Sequence, residues 1–363
     1  MYKNFKQYGK LLIQFISFWV IAMSLFTVFR YLGMDQASMV SPSFAESGNA
    51  VFFEPLFPTV VLGVCLGIFY ASIDFFFERY MEKRMALGVS IVVRTFIYFI
   101  STLTIITLII EVSSPYIAHN FNIELGWWIT DKRFWAVAIY IILATFVHNF
   151  LRIATERFGK GTFVKILFRK YRKPREEKRI FMFLDLKGAT EIAERIGHFL
   201  YSQFLQDCFY DLNEILSKYE AEIYQYVGDE AVLSWSFKKG AQNHNCIAIF
   251  FAFENQIHSK KDYYMAKYGV IPKFKAGLHG GTLMAAEVGF VKKELAYHGD
   301  VINTSARLQA ECNKQRVSLI LSNELFEQIN IEKLVVSKFL GKVNLKGKKE
   351  GVGIHAVYGL ITN

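Results

Sequence analysis

Charged residues make up only 20% of this 363-residue chain and cysteines number four, two scarcities that narrow the field before any motif is considered. With 53% hydrophobic residues against so little charge, a wholly soluble protein is excluded and a membrane portion is expected. Cys65, Cys208, Cys246 and Cys312 show no C-x-x-C spacing, and three of them fall in the part expected to face the cytosol, where thiols stay reduced. No disulfide or zinc site is indicated. Internal repeats and low-complexity tracts are missing too. No convincing small-residue cleavage site follows the first apolar run, which is also too long for a signal-peptide core, so it is read as a retained helix.

Long apolar runs are what the chain has instead. Residues 11–31, 56–77, 87–112 and 134–153 are each about 20 residues or longer, enough for a helix to cross roughly 30 Å of hydrocarbon. Four spans put both ends of the chain on one side. Lys3, Lys6, Lys10, Arg79, Lys83, Arg84 and a dense basic run after the fourth span mark that side as cytosolic, whereas residues 34–50 carry no Lys or Arg. The expectation is a multi-pass protein of the inner (plasma) membrane with its membrane domain at 1–153. The net charge of +10 is concentrated between Arg152 and Arg179, directly after a span, which favours positive-inside topology and contact with the lipid bilayer over nucleic acid. Asp74, Arg94 and His148 lie inside the runs, where ionisable groups are costly; pairing of Asp74 with Arg94 near the cytosolic face, with His148 nearby, and separate snorkelling to the interface both fit them.

A basic, helix-compatible connector follows at 154–178, ended by Pro174; a conduit for motion and a passive tether both fit it. From 179 to 363 the periodicity changes. Residues 179–186 read as a buried strand, 191–219 as helix, and 221–235 as two strands turning at Val227, Gly228 and Asp229. Helix is expected again at 243–268, strands at 274–279 and 283–288 on either side of Gly280 and Gly281, a helix at 301–312, and strands at 317–321 and 353–358. That order fits an α+β domain on the ferredoxin-like plan.

Three short segments of this domain carry chemistry. Asp185 should emerge at the end of the first strand, with backbone N–H groups from Leu186, Lys187, Gly188, Ala189 and Thr190 available to cradle phosphate at a helix start, although a plain helix cap also fits. Asp229 sits at a hairpin tip beside that strand. The two carboxylates are suited to hold two Mg²⁺ ions, which keep water and phosphate oxygens as their remaining ligands. Asn303 and Arg307, four residues apart, share one helix face, where Arg can meet charge growing on a phosphoryl group and Asn can orient a ribose.

The order and spacing of these segments resemble the class III nucleotidyl cyclases, the adenylate and guanylate cyclase family, over about 179–359. The segment Phe183 to Thr190 is similar to the family's first-strand signature, with Ala189 where an aromatic is usual. Val227 to Glu230, Gly277 to Gly281 with Val288 and Gly289, and Asn303 to Arg307 resemble its later signatures. The resemblance implies Asp185 and Asp229 as ligands of two Mg²⁺ or Mn²⁺ ions, Asn303 and Arg307 as the transition-state pair, and a homodimer whose site is shared between subunits. Lys346 or Lys348 looks like the triphosphate-binding lysine. Gln225 and Ala296 occupy the base-selecting positions, where neither an adenine nor a guanine pattern is present. ATP is favoured as substrate, giving 3′,5′-cyclic AMP and pyrophosphate. A guanylate cyclase and a catalytically silent nucleotide-binding receptor remain the alternatives, with a diguanylate cyclase ranked lower.

Overall fold

The computed structural model describes residues 2–33, 53–80, 89, 92–102, 104, 132–158, 170–291, 293–348 and 350–361. They fall into two compact units, Met1–Glu156 and Arg157–Asn363.

The first unit is helical: α1 (Tyr2–Gly33), α2 (Phe53–Tyr80), α3 (Val92–Thr102) and α4 (Lys132–Phe158). Three stretches, Leu11–Phe29, Thr59–Phe77 and Trp135–Thr155, are long and apolar enough to cross a bilayer. The third expected span is described only over α3, and the remainder of 87–112 lies outside the described residues. Phe29, Phe76, Phe96 and Phe146 stand exposed while Phe15, Trp19, Tyr70 and Tyr98 are buried, so these helices are apolar on outer and inner faces alike. Helices α1 and α2 meet closely at Gly63 and Gly67, where a Cβ on Gly67 would fall 2.5 Å from the Ile16 Cα. Small residues at this spacing let two apolar helices make backbone-to-backbone contact.

The ionisable side chains within the apolar helices do cluster. Asp74 is fully buried and bridges Arg94 at 3.0 Å and Arg152 at 2.5 Å, while Tyr98 Oη donates to Asp74 Oδ1 at 2.8 Å. One carboxylate therefore ties α2, α3 and α4. The His148 ring packs 4.3 Å from Phe15 and 4.7 Å from Phe18.

The second unit is an eight-stranded mixed sheet with order β2-β3-β1-β4-β6-β8-β7 and β5 paired to β4. In chain order its elements are β1 (Arg175–Leu186), α5 (Ala189–Ile196), α6 (His198–Leu216), β2 (Glu222–Val227), β3 (Glu230–Ser236), α7 (Phe237–Ala241), α8 (Asn245–Ser259) and α9 (Lys261–Tyr268). Then come β4 (Phe274–Val288), β5 (Glu294–His298), α10 (Asp300–Gln315), β6 (Leu319–Ser322), α11 (Asn323–Gln328), β7 (Val335–Val343) and β8 (Val352–Leu360). Among the described residues only β4 and β6 run parallel; the other pairings are antiparallel.

Strand β1 shows why the sheet holds. Ile180, Met182, Leu184 and Leu186 pack on one face with Phe204, Leu212 and Phe250, while Phe181 and Phe183 pack on the other with Tyr297 and Val301. The period of two buries both faces, and Asp185 follows the second set towards α10. The strand starts at Arg175, ahead of the expected 179, because the polar Arg175 to Lys178 still pair with Ala285 to Thr282 of β4.

The expected strands at 274–279 and 283–288 are one strand. Gly280 and Gly281 pair with Ile180 and Arg179 in mid-sheet, and a Cβ on Gly280 would sit 2.9 Å from Leu325 Cδ1. These glycines allow close packing where a turn was expected. The hairpin in this region runs from β4 to β5 instead.

Candidate active site

Antiparallel pairing of β1 with β3 sets Asp185 opposite Glu230, directly after the turn in which Gly228 adopts a φ of 60° that favours glycine. Asp229, next in that turn, stands close enough to Asp185 for the two carboxylates to repel. The two expected carboxylates therefore converge. On its other side Asp185 faces Lys275 of β4, whose Nζ lies 3.1 Å from Asp185 Oδ2, and Gln309 Nε2 of α10 donates to that same oxygen at 2.7 Å.

Burial raises the Asp185 pKa first, Asp229 raises it further, and Lys275 works against both. Glu230 is pushed up to about 7 by burial, then by Asp185 and Asp229. Tyr201 of α6 lies in the field of the same two aspartates, and its hydroxyl is pushed up to about 12, chiefly by burial. Two mutually repelling carboxylates are a donor set that a hard divalent cation would relieve. No set of three or more His, Cys, Asp or Glu forms a metal cage among the described residues. A pair of carboxylates fits Mg²⁺ or Mn²⁺, which takes its remaining ligands from water and phosphate.

A consequence for stability follows. Glu230 and Asp185 both have folded pKa values raised from their ordinary carboxylate values, so the folded chain retains protons that the unfolded chain has released. Their stabilising contribution is complete below those values and is lost as pH rises, for Glu230 through about 7. The metal-free protein should melt at lower temperature at about pH 8 than at about pH 5, and Mn²⁺ should reverse much of the decline. A melting temperature that climbs over this interval without metal would count against the acidic cluster.

The proposed phosphate turn is narrower than expected. Leu186 is buried in the core, the Lys187 N–H donates to the Lys273 carbonyl at 2.8 Å, and Lys187 Nζ donates to Ser318 Oγ at 2.7 Å. Gly188, Ala189 and Thr190 are what remain, at the start of α5, where no side chain caps the helix. Gln225 is exposed on β2 opposite Val232, and Ala296 is half-buried opposite Ala286.

Asn303 is exposed on α10 and Arg307 is half-buried. The turn holding Lys346 and Lys348 backs onto Arg307: a Cβ on Gly347 would lie 3.4 Å from an Arg307 guanidinium nitrogen. Helix geometry separates this pair from the aspartates of the same chain. Gln309, which holds Asp185, is rotated about 160° from Arg307 and about 120° from Asn303 around the helix axis. Sequence reasoning assigned no role to Lys275, Gln309 or Tyr201. A lysine inside the apolar run 274–278 was the one legible signal, since a buried cation needs a partner.

Comparison with known proteins adds the following. The family described as Adenylate and Guanylate cyclase catalytic domain matches residues 172–359. The chain is 32% identical over 218 residues to Adenylate cyclase 2 of Rhizobium meliloti (strain 1021), covering 60% of each chain. It is 24% identical over 186 residues to Adenylate cyclase 1 of the same organism, covering 50% of this chain and 27% of that one. The chain thus spans less than two thirds of either relative. A solved structure of a bacterial light-regulated adenylyl cyclase superposes with a TM-score of 0.52 at 15% identity, over 66% of this chain and 72% of its own, a likeness of fold.

Proposed function

The chain belongs to the adenylate and guanylate cyclase family, and from that premise we propose that it is a membrane-bound homodimeric adenylate cyclase converting ATP to 3′,5′-cyclic AMP and pyrophosphate. One observation carries the reading: Asp185 and Asp229 converge at the end of β1, while Asn303 and Arg307 leave α10 on a different side from Gln309, which holds Asp185. A site needing all four residues is then completed by a second copy.

In this reading the ribose 3′-hydroxyl gives up its proton to solvent, its oxygen bonds to the α-phosphorus, the bond from that phosphorus to the bridging oxygen breaks, and pyrophosphate leaves. Asp185 and Asp229 would hold Mg²⁺ or Mn²⁺, which supplies Lewis-acid polarisation and charge neutralisation. Lys275 and Gln309 fix the Asp185 carboxylate. Arg307 of the partner copy meets charge growing on the phosphoryl oxygens, and Asn303 orients the ribose. Lys346 binds the triphosphate, and the N–H groups of Gly188 to Thr190 face its phosphates. Adenine is preferred because the relative at 32% identity is an adenylate cyclase. The exposed Gln225 amide reads the base edge, and Ala296 leaves room beside it.

Four spans in the inner membrane, with both termini and the cyclase domain in the cytosol, complete the proposal. The apolar outer faces of α1, α2 and α4 support it.

Full-length protein incubated separately with ATP, GTP, CTP and UTP plus Mn²⁺ should yield cyclic AMP as the main product by mass spectrometry. Dominant cyclic GMP would overturn the base preference, and nucleotide binding without pyrophosphate release would overturn the enzyme.

A further inference from the structure

The two lysines of the 345–348 turn are held differently. Lys348 Nζ is ion-paired to Asp300 Oδ2, and Thr304 Oγ1 donates to that same oxygen at 3.1 Å. Asp300 opens α10, so its carboxylate also faces the positive end of the helix. Burial alone would raise its pKa; the bonds from Lys348 and Thr304 hold it below the usual range. The Lys348 N–H donates to the Leu345 carbonyl at 3.0 Å, Gly347 takes a φ of 79°, and Leu345 is buried against the α10 core. The turn is therefore fixed at two points, in the core and on Asp300, and Gly347 lies beside the Arg307 guanidinium. Lys346 is exposed between them and makes no side-chain hydrogen bond or ion pair among the described residues.

We propose that Asp300 and Lys348 are a positioning pair, whose ion pair sets the turn so that Lys346 and Arg307 serve the same pyrophosphate leaving group while Lys348 itself stays off the phosphates. The proposal rests on the cyclase reading above and deepens it. It also decides between the two lysines that the sequence left open.

The sign of one substitution separates this arrangement from its rival. If Lys348 were the phosphate ligand, held back by Asp300, then Asp300→Asn would release it and pyrophosphate would bind more tightly. If the pair positions the turn, Asp300→Asn loosens Lys346 and binding weakens. Calorimetric titration of full-length protein with pyrophosphate in Mn²⁺ reads this directly. Lys346→Met, Asp300→Asn and Lys348→Met should each weaken binding about tenfold. The reversed pair, Asp300→Lys with Lys348→Asp, should return to within about threefold of wild type. A purely structural role would move the melting temperature and leave pyrophosphate affinity where it was. Asp300→Asn is isosteric at an exposed position, so its result decides even if the reversed pair does not fold. Unchanged or tighter binding by Asp300→Asn overturns the positioning pair. A wild-type protein that binds no pyrophosphate would instead remove the site reading on which the pair depends.

Discussion

Protein carrying Asp185→Ala makes no measurable cyclic nucleotide, protein carrying Arg307→Ala makes none either, and a mixture of the two recovers activity. That is the expected result of a site shared between copies. With the proposed roles of Asp185 as metal ligand and Arg307 as transition-state cation, each loss should lower turnover by about 10³-fold or more. In a two-fold dimer of one mutant with the other, one site carries both defects and the other carries none. Random exchange makes half of the dimers mixed, so recovery should plateau near about one quarter of wild-type activity. Asp185→Asn is the companion variant: it retains an acceptor for Gln309 and Lys275, which otherwise lose their shared partner, and removes only the charge. Cyclic AMP formation is measured against mixing ratio, with subunit exchange followed by tag pull-down. If the variants exchange subunits freely and no ratio restores product, the site lies within one chain and the dimer argument fails.

The residues that such an experiment addresses were visible in the sequence for a local reason. Asp185 ends a continuous apolar run and Asp229 follows a turn glycine, so neighbours along the chain announce both. Partners that come from across the sheet announce themselves poorly. Gln309 reaches Asp185 only because α10 lies over β1 and β4, and Lys275 does so because β4 is the antiparallel neighbour of β1. Gly280 and Gly281 misled for the opposite reason: paired glycines read locally as a turn, yet their neighbours in the fold are side chains of β1, α10 and α11. Lys187 reads locally as a phosphate-facing donor, yet its N–H donates to the Lys273 carbonyl, a bond set by the turn beyond β1. The sheet edge was not anticipated either. Strand β7 has Lys338 and Lys342 interrupting its apolar residues and two register shifts against β8, which blur a period of two.

Gly277→Ala should be the most damaging single methyl in the second unit. A Cβ there would lie 2.1 Å from the Gln309 backbone nitrogen, 2.5 Å from the Ser305 carbonyl oxygen and 2.7 Å from the Gln309 Cα. All three neighbours are backbone of α10, so no rotamer change relieves the overlap. The helix must lift by about an ångström, which thins its contacts with β4 and draws Gln309 away from Asp185. A cost of about 3 kcal/mol or more is expected, lowering the melting temperature by roughly 10 °C. Gly281→Ala supplies the comparison on the same strand. Its added Cβ meets only the Val301 Cγ2, at 3.0 Å, a side-chain methyl able to give way, and about 1 kcal/mol or less should suffice. The two alanines differ in what they touch and in nothing else, so their order tests the packing of α10 on β4. Activity should fall further than stability for Gly277→Ala, because the displaced helix carries Asn303, Arg307 and the Gln309 amide together. Melting temperatures within a degree or so of each other would mean that α10 does not rest on β4 as closely as the glycine implies.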